Sequence, residues 1–305
     1  MRILCLHGYG TSGDIMKLQL DAFIRQADAS YEFVFLGGEF ECPKAKGIGN
    51  LYDGPTFCFM ESVRPHDVRN ALDYLEHFVV EEGPFDGLIG FSQGASLALT
   101  YLLQHATDTS SGGDSDAHNN AFALKWAVFL SAIPAFSADA SFNADLYRNL
   151  TDHDRALLED FPYNNADIDF EAFSGQPRRA IAFQSFATMF DGCLSAEVVD
   201  QDYDHGFDPL KHNYCGADRS VPRIMHPELL PADVRIRIPT VHVTGVKDER
   251  DLIASSRLME RVCEPKLVQS LTHSGGHDVP RTMKDSRALV KAVDYAIRQS
   301  VHDLQ

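Results

Sequence analysis

The residue in this sequence whose type and surroundings best fit a catalytic role is Ser92. It stands at the centre of Gly90-Phe91-Ser92-Gln93-Gly94, a G-x-S-x-G motif between a strand-like run and a helix-like run. A serine nucleophile needs a tight strand-to-helix turn with small flanking residues, so that its hydroxyl projects from the backbone. The five letters alone are common by chance, whereas their position between strand and helix predicts a nucleophilic serine.

Two further side chains could activate that serine. A serine hydroxyl becomes a nucleophile when a histidine takes its proton, and an acid orients the histidine. Asp248 follows a predicted strand and a glycine turn, and His277 follows the next predicted strand after Ser274-Gly275-Gly276. The chain order serine, acid, histidine is that of α/β-hydrolases.

Neighbouring residues leave alternatives open. Glu249 and Asp251 lie beside Asp248 and could replace it as the acid. His273 precedes His277 by four residues, but the intervening Ser-Gly-Gly disfavours the helix that a metal-binding pair would need. We therefore interpret His273 as structural or as a hydrogen-bond donor within its loop.

The first strand leads into a glycine-rich loop that begins at His7. The tetrahedral intermediate of acyl transfer needs backbone N–H donors, one from the residue after the nucleophile and one from an early loop. These would be Gln93 and Tyr9, and His7 would brace the loop. The loop matches neither a dinucleotide-binding nor a P-loop pattern, which disfavours phosphate binding.

The elements that must position these residues alternate between strand and helix. Short apolar runs predict buried parallel strands at residues 3–6, 32–36, 87–91, 126–130, 240–244 and 267–270. Apolar residues at helical spacing predict helices at 68–80, 93–103 and 286–297. The pattern predicts an α/β-hydrolase fold, a mostly parallel central sheet with helices on both faces.

Two segments interrupt this alternation. Residues 107–120 are small and polar, which predicts a flexible loop. Residues 136–235 contain no clear run of strands and are too long for a plain connection, so we predict an inserted cap region. The hydrolase core would then comprise residues 1–135 and 236–305.

The predicted cap region contains two groups of residues with possible functions. Residues 183–190 have apolar positions at helical spacing, which favours a cap helix over the active site. The aromatic residues of the region could line an acyl cavity, although a small core of its own needs them equally; they are Phe161, Tyr163, Phe170, Phe173, Phe183, Phe186, Phe190 and Phe207. A set of carboxylates and histidines fits no familiar metal motif and is interpreted as a solvated acidic loop; it comprises Asp200, Asp202, Asp204, His205, Asp208 and His212.

Composition argues against several classes of partner and bears on the location of the protein. The formal net charge of −17 argues against nucleic acid and anionic membranes, because both are negatively charged. No stretch of about 20 apolar residues is present, and no signal peptide is recognisable. The six cysteines are scattered without a C-x-x-C pair, which favours reduced thiols and a cytoplasmic protein.

Motifs along most of the chain resemble one family, the fungal serine hydrolases related to the yeast family of small serine hydrolases. They cover residues 3–136 and 238 to about 297, and include LCLHGYGTSG, YDGPTFCF, FDGLIGFSQGASLA, WAVFLSAIP, IPTVHVTGVKDERDL and HSGGHDVPR. The resemblance implies that Ser92, Asp248 and His277 are catalytic and that no metal or organic cofactor is needed. The long middle segment departs from the compact members of this family.

The resemblance also implies esterase or thioesterase chemistry on a small-molecule acyl substrate. Some members resemble stand-alone hydrolases of polyketide pathways that release an acyl chain from an acyl carrier protein. We therefore expect hydrolysis of a carboxylic ester or thioester through an acyl-serine. The alternatives are acyl transfer by the same triad and a hydrolase-fold binding protein without catalysis, which the presence of all three residues disfavours.

Overall fold

The computed structural model describes residues 1–49, 52–110, 124–158, 169–172, 176–199, 203 and 221–302. Six strands form one fully parallel sheet: β1 (Arg2–Leu6), β2 (Glu32–Leu36), β5 (Gly87–Phe91), β6 (Trp126–Leu130), β7 (Thr240–Gly245) and β8 (Val268–His273). Their order is β2-β1-β5-β6-β7-β8. A separate antiparallel pair joins β3 (Phe40–Glu41) to β4 (Phe57–Cys58).

Helices cover both faces of the six-stranded sheet. They are α1 (Gly13–Gln19), α2 (Asp21–Ile24), α3 (Pro65–Glu82), α4 (Gln93–Ser110), α5 (Asp152–Leu157), α6 (Pro177–Ser195), α7 (Arg250–Glu260) and α8 (Met283–His302). One core packs α1, α2 and α8 against one face, and a larger core packs α3, α4, α6 and α7 against the other. In β1, Leu4 enters the larger core while Ile3 and Cys5 enter the smaller one. This is the predicted α/β-hydrolase fold.

Several predicted elements differ from the structure at their ends, among them the end of α4 and strand β8. Residues 107–110 are the last turn of α4 rather than a loop, and the Thr107 hydroxyl donates to the Leu103 carbonyl oxygen at 2.9 Å. Extending an existing helix costs little, so its last turn needs no apolar face. Strand β8 starts one residue later than predicted and continues to His273. Among the described strands it pairs with β7 alone and lies at the edge of the sheet, so its second half mixes polar and apolar residues.

Of the described residues between β6 and β7, none belongs to the six-stranded sheet. The predicted helix at 183–190 lies within α6. The boundaries of the cap region, 136 and 235, remain a prediction. Several sequence predictions fall outside the described residues, namely the loop at 111–120, the aromatics Phe161, Tyr163, Phe173 and Phe207, and the acidic cluster Asp200, Asp202, Asp204, His205, Asp208 and His212.

Candidate active site

Ser92 occupies a sharp turn between β5 and α4. Its backbone φ is +51°, in the left-handed region that side-chain-bearing residues rarely adopt. Two backbone hydrogen bonds hold it there: its N–H donates to the Leu130 carbonyl oxygen at 2.9 Å, and its carbonyl accepts from the Ser96 N–H at 3.0 Å. The first anchors the turn to neighbouring strand β6, and the second begins α4. The serine is thus held in one strained conformation by the elements on either side.

The two glycines of the motif are required by close backbone approaches. A Cβ on Gly90 would lie 2.6 Å from the Ala95 Cα, where α4 turns back over the strand. A Cβ on Gly94 would lie 2.3 Å from the Leu6 carbonyl oxygen and 2.5 Å from that of His7. Backbone atoms cannot move aside as a flexible side chain can, so α4 reaches this position only because both residues lack a side chain.

The structure brings Ser92, His277 and Asp248 into one hydrogen-bonded line. The Ser92 Oγ lies 2.9 Å from the His277 Nε2, and the His277 Nδ1 lies 3.1 Å from the Asp248 Oδ2. A carboxylate can only accept, so Nδ1 carries the proton and Nε2 is left to accept the serine hydroxyl. The side chain of His277 is 12% exposed and that of Asp248 is 1% exposed. This arrangement can move a proton from the hydroxyl to the ring.

Asp248 and His277 lie on two loops that touch each other. The Val246 N–H donates to the His273 carbonyl oxygen at 2.9 Å, and the Lys247 N–H donates to the Gly275 carbonyl oxygen at 2.9 Å. A Cβ on Gly245 would lie 2.1 Å from the Gly276 carbonyl oxygen, so that position also needs glycine. The loops after β7 and β8 are thereby held as one unit.

The loop after β1 approaches Ser92 from the other side. A Cβ on Gly8 would lie 3.3 Å from the Ser92 Cβ, which places the backbone that leads into Tyr9 against the nucleophile. Together with Tyr9, the start of α4 at Gln93 lines the same pocket as Ser92. The two residues predicted to supply backbone donors are therefore beside Ser92.

His7 braces this loop. The Gly38 N–H donates to its Nε2 at 2.8 Å, so the proton is on Nδ1, which donates to the Gly8 carbonyl oxygen at 2.8 Å. The Thr11 hydroxyl donates to the same carbonyl at 2.7 Å. Burial lowers the pKa of His7 to about 4, so the ring stays neutral near pH 7. Both ring nitrogens are engaged by backbone groups, so the ring acts as a cross-link between this loop and Gly38.

The side chain of Gln93 has a role that sequence reasoning missed. Its Oε1 accepts from the Phe59 N–H at 2.9 Å, and its Nε2 donates to the Met60 carbonyl oxygen at 2.8 Å. The amide thus ties the start of α4 to the segment after β4. Its partners are more than 30 residues away, so no local spacing signals the contact.

His273 ends β8 and is buried. Its Nδ1 accepts a hydrogen bond from the Gly275 N–H at 3.2 Å, which helps to turn the loop that carries His277. The predicted structural role fits this contact, in which Nδ1 accepts.

Two recesses meet at Ser92. The first, which we call the apolar recess, is lined by Tyr9, Val63, Ser92, Gln93, Ile133 and the α6 residues Phe186, Met189, Phe190 and Cys193, with Val198, Val199 and Tyr203. The second is wider, and we call it the polar recess because it holds four charged side chains. It is lined by Lys46, Glu197, Asp278 and Arg281 with His277 and Ser92, and also by apolar residues that include Ile15, Leu18 and Ile48. Val63 and Ile133 lie outside the segment in which sequence reasoning sought the cavity.

Comparison with known proteins identifies the relatives of this chain. Residues 1–289 match the family described as serine hydrolase (FSH1). The chain belongs to the FSH1 serine hydrolase family. The predicted resemblance to fungal serine hydrolases is confirmed by this match and by the relatives that follow.

Two fungal relatives match this chain along most of its length. It is 42% identical over 299 residues to the esterase alnB of Emericella nidulans, and the alignment covers 98% of this chain and 97% of alnB. It is 28% identical over 283 residues to the hydrolase FUB4 of Fusarium oxysporum f. sp. lycopersici, with 92% of each chain covered.

Solved structures similar to this chain include a carboxylesterase and a lipase. A carboxylesterase from Mesorhizobium loti has a TM-score of 0.44 at 14% identity, covering 96% of this chain and 88% of that one. A monoacylglycerol lipase from Paleococcus ferrophilus has a TM-score of 0.48 at 13% identity, covering 97% and 94%.

Proposed function

We propose that this protein is a serine esterase or thioesterase that cleaves an acyl substrate through a covalent acyl-serine. The observation that carries the proposal is the 2.9 Å contact between the Ser92 hydroxyl and the unprotonated nitrogen of His277. His277 takes the hydroxyl proton as Ser92 attacks the acyl carbonyl, and Asp248 holds the ring in the required tautomer. The name esterase borne by the relative alnB supports this choice of substrate bond.

The tetrahedral intermediate carries a negative oxygen that needs donors. We assign this role to the backbone N–H groups of Tyr9 and Gln93, since both residues line the pocket at Ser92. His277 then gives its proton to the departing alcohol or thiol. A water molecule repeats the sequence and releases the acid, so the cycle uses only these groups and water.

The acyl group proposed from the family resemblance is a polyketide chain delivered as a thioester by an acyl carrier protein. Delivery by a carrier and a cytoplasmic location remain predictions. Within the described parts of the chain, no helix combines the length and apolar character needed to cross a membrane.

The test is covalent labelling joined to substrate hydrolysis. Wild type should react with a fluorophosphonate probe at Ser92 and hydrolyse p-nitrophenyl esters and acyl-thioesters. Ser92→Ala should lose both, whereas Ser30→Ala, at an exposed serine, should keep both. Labelling that persists in Ser92→Ala would exclude the proposed nucleophile. Product analysis with added alcohols separates hydrolysis from acyl transfer, because transfer would yield a new ester.

A further inference from the structure

The structure presents the nucleophile to two recesses, one almost entirely apolar and one that also carries charged side chains. We propose that the acyl chain of the substrate occupies the apolar recess and that the leaving alcohol or thiol occupies the polar recess. This inference rests on the proposed function and adds the orientation and polarity of the substrate to it.

The position of the proton donor carries the assignment. The leaving atom must receive the proton that His277 Nε2 holds, so the leaving group must lie on the histidine side of Ser92. Among the described residues, His277 lines the polar recess, whereas Gln93 lines the apolar recess. With the leaving group on the histidine side, the acyl chain takes the other direction from Ser92, beside Gln93.

The walls of the apolar recess suit a hydrocarbon or aromatic acyl chain. Phe186, Met189, Phe190 and Cys193 stand at i, i+3, i+4 and i+7 on α6, so they form a single stripe that faces Ser92. Burial, with a smaller contribution from the charge of Asp248, raises the pKa of the Cys193 thiol to about 12, so this wall stays uncharged near pH 7. Apolar walls favour an acyl group that leaves water on binding.

The position of helix α6 beside Ser92 is fixed by the contact of this helix with α7. A Cβ on Gly192 would lie 2.9 Å from the Leu252 Cγ and 3.0 Å from the Leu252 backbone nitrogen. Glycine therefore lets the two helices approach closely, and α7 begins two residues after Asp248. The wall of the apolar recess and the acid of the site are thus held by the same pair of helices.

The polar recess has different walls. Lys46 pairs with Glu197, and Arg281 pairs with Asp278 through an Nε–Oδ2 contact of 2.7 Å. All four side chains line this recess, so its two positive and two negative charges offset each other. Such a surface accommodates a polar leaving group that extends into solvent.

The test uses two substrate series in which one half of the ester varies at a time. Acetate, butyrate, octanoate and decanoate esters of p-nitrophenol vary the acyl chain, and butyrate esters of methanol, glycerol and benzyl alcohol vary the leaving group. Met189→Trp adds bulk at a 5%-exposed position of the apolar recess. We expect its kcat/KM ratio of decanoate to acetate to fall at least about tenfold, since several methylenes lose their site.

Matched tryptophan substitutions provide the controls. Leu18→Trp enlarges a 71%-exposed side chain of the polar recess, and Val80→Trp does the same at an exposed position of α3. Leu18→Trp should lower the benzyl-to-methyl ratio and leave the decanoate-to-acetate ratio within about twofold. Val80→Trp should move neither ratio. If Met189→Trp does not fold, Met189→Ala should instead raise the decanoate-to-acetate ratio.

The opposite pattern overturns the assignment. In that pattern, Leu18→Trp would change the decanoate-to-acetate ratio and Met189→Trp would change the benzyl-to-methyl ratio. The assignment is also overturned if neither substitution changes either ratio. These outcomes differ from failure of the proposed function, in which Ser92→Ala would keep wild-type activity in both series.

Discussion

Replacing Asp248 by asparagine changes one atom of the site and reverses one hydrogen bond. In the native protein, the Asp248 Oδ1 accepts the Glu249 N–H at 2.9 Å, while Oδ2 faces the His277 Nδ1 at 3.1 Å. An amide nitrogen cannot accept from an N–H, so the asparagine oxygen must keep the Glu249 contact. The NH₂ group is then directed at the histidine.

The consequence for catalysis follows from the tautomer. A donor opposite Nδ1 forces that nitrogen to accept, so the ring proton moves to Nε2 and points at Ser92. The ring then cannot take the hydroxyl proton. Loss of the correct tautomer in a serine-histidine-aspartate triad costs about 10⁴-fold in kcat, which corresponds to about 5 kcal/mol of activation free energy. With the Asp248 side chain only 1% exposed, water has little access to replace the lost acceptor.

The assay is p-nitrophenyl butyrate hydrolysis by wild type, Asp248→Asn and two matched neighbours. Glu249→Gln and Asp251→Asn remove the carboxylates that the sequence left open as alternatives, and each should keep kcat within about threefold. Thermal unfolding checks that Asp248→Asn folds, as expected because the amide oxygen still caps the Glu249 N–H. If Asp248→Asn retained a tenth of wild-type kcat, or if Glu249→Gln matched its loss, the assignment of the acid would be wrong.

Three further predictions concern stability, each measured by urea unfolding. Gly94→Ala should lower the free energy of unfolding by about 3 kcal/mol or more, because its Cβ would meet two backbone carbonyls. Gly37→Ala, with open space around the glycine, should change it by no more than about 0.5 kcal/mol, and equal losses in the two variants would refute the crowding at Gly94. Asp154→Ala should cost about 3–5 kcal/mol because it leaves the buried Arg179, 3.0 Å away, without its carboxylate; a loss under 1 kcal/mol would show that the pair is hydrated in solution. Burial lowers the pKa of His242 to about 3. Below about pH 6.5 the unfolded state therefore binds a proton that the native state does not bind, so the free energy of unfolding decreases as the pH is lowered. At pH 5 this loss is about 2 kcal/mol relative to pH 7, and His242→Gln should reduce the difference between the two pH values by that amount; an unchanged difference would contradict the argument.

The alternation of strands and helices was predictable because it depends on local patterns. The buried strands around Ser92 carry apolar side chains on both faces, so continuous apolar runs mark them. The edge strand β8 has no such run after Ser270, and α4 ends in polar residues, so local patterns misplaced these ends. Helix α7, in contrast, was not predicted, and its place beside α6 is visible only in the fold.

Sequence alone determined the type of chemistry, because a strained serine turn, a glycine-rich early loop and an ordered acid and histidine are each encoded within a few neighbouring residues. Tertiary structure decided which of three neighbouring acids faces His277. Asp248, Glu249 and Asp251 lie close together in the chain, and only the backbone conformation of the turn decides which carboxylate is directed at the histidine. It also decided the walls of the apolar recess, where Val63, Ile133 and Met189 come from three distant segments. Such contacts depend on how helices and loops pack in space, and packing over long sequence separations leaves no period or spacing in the chain.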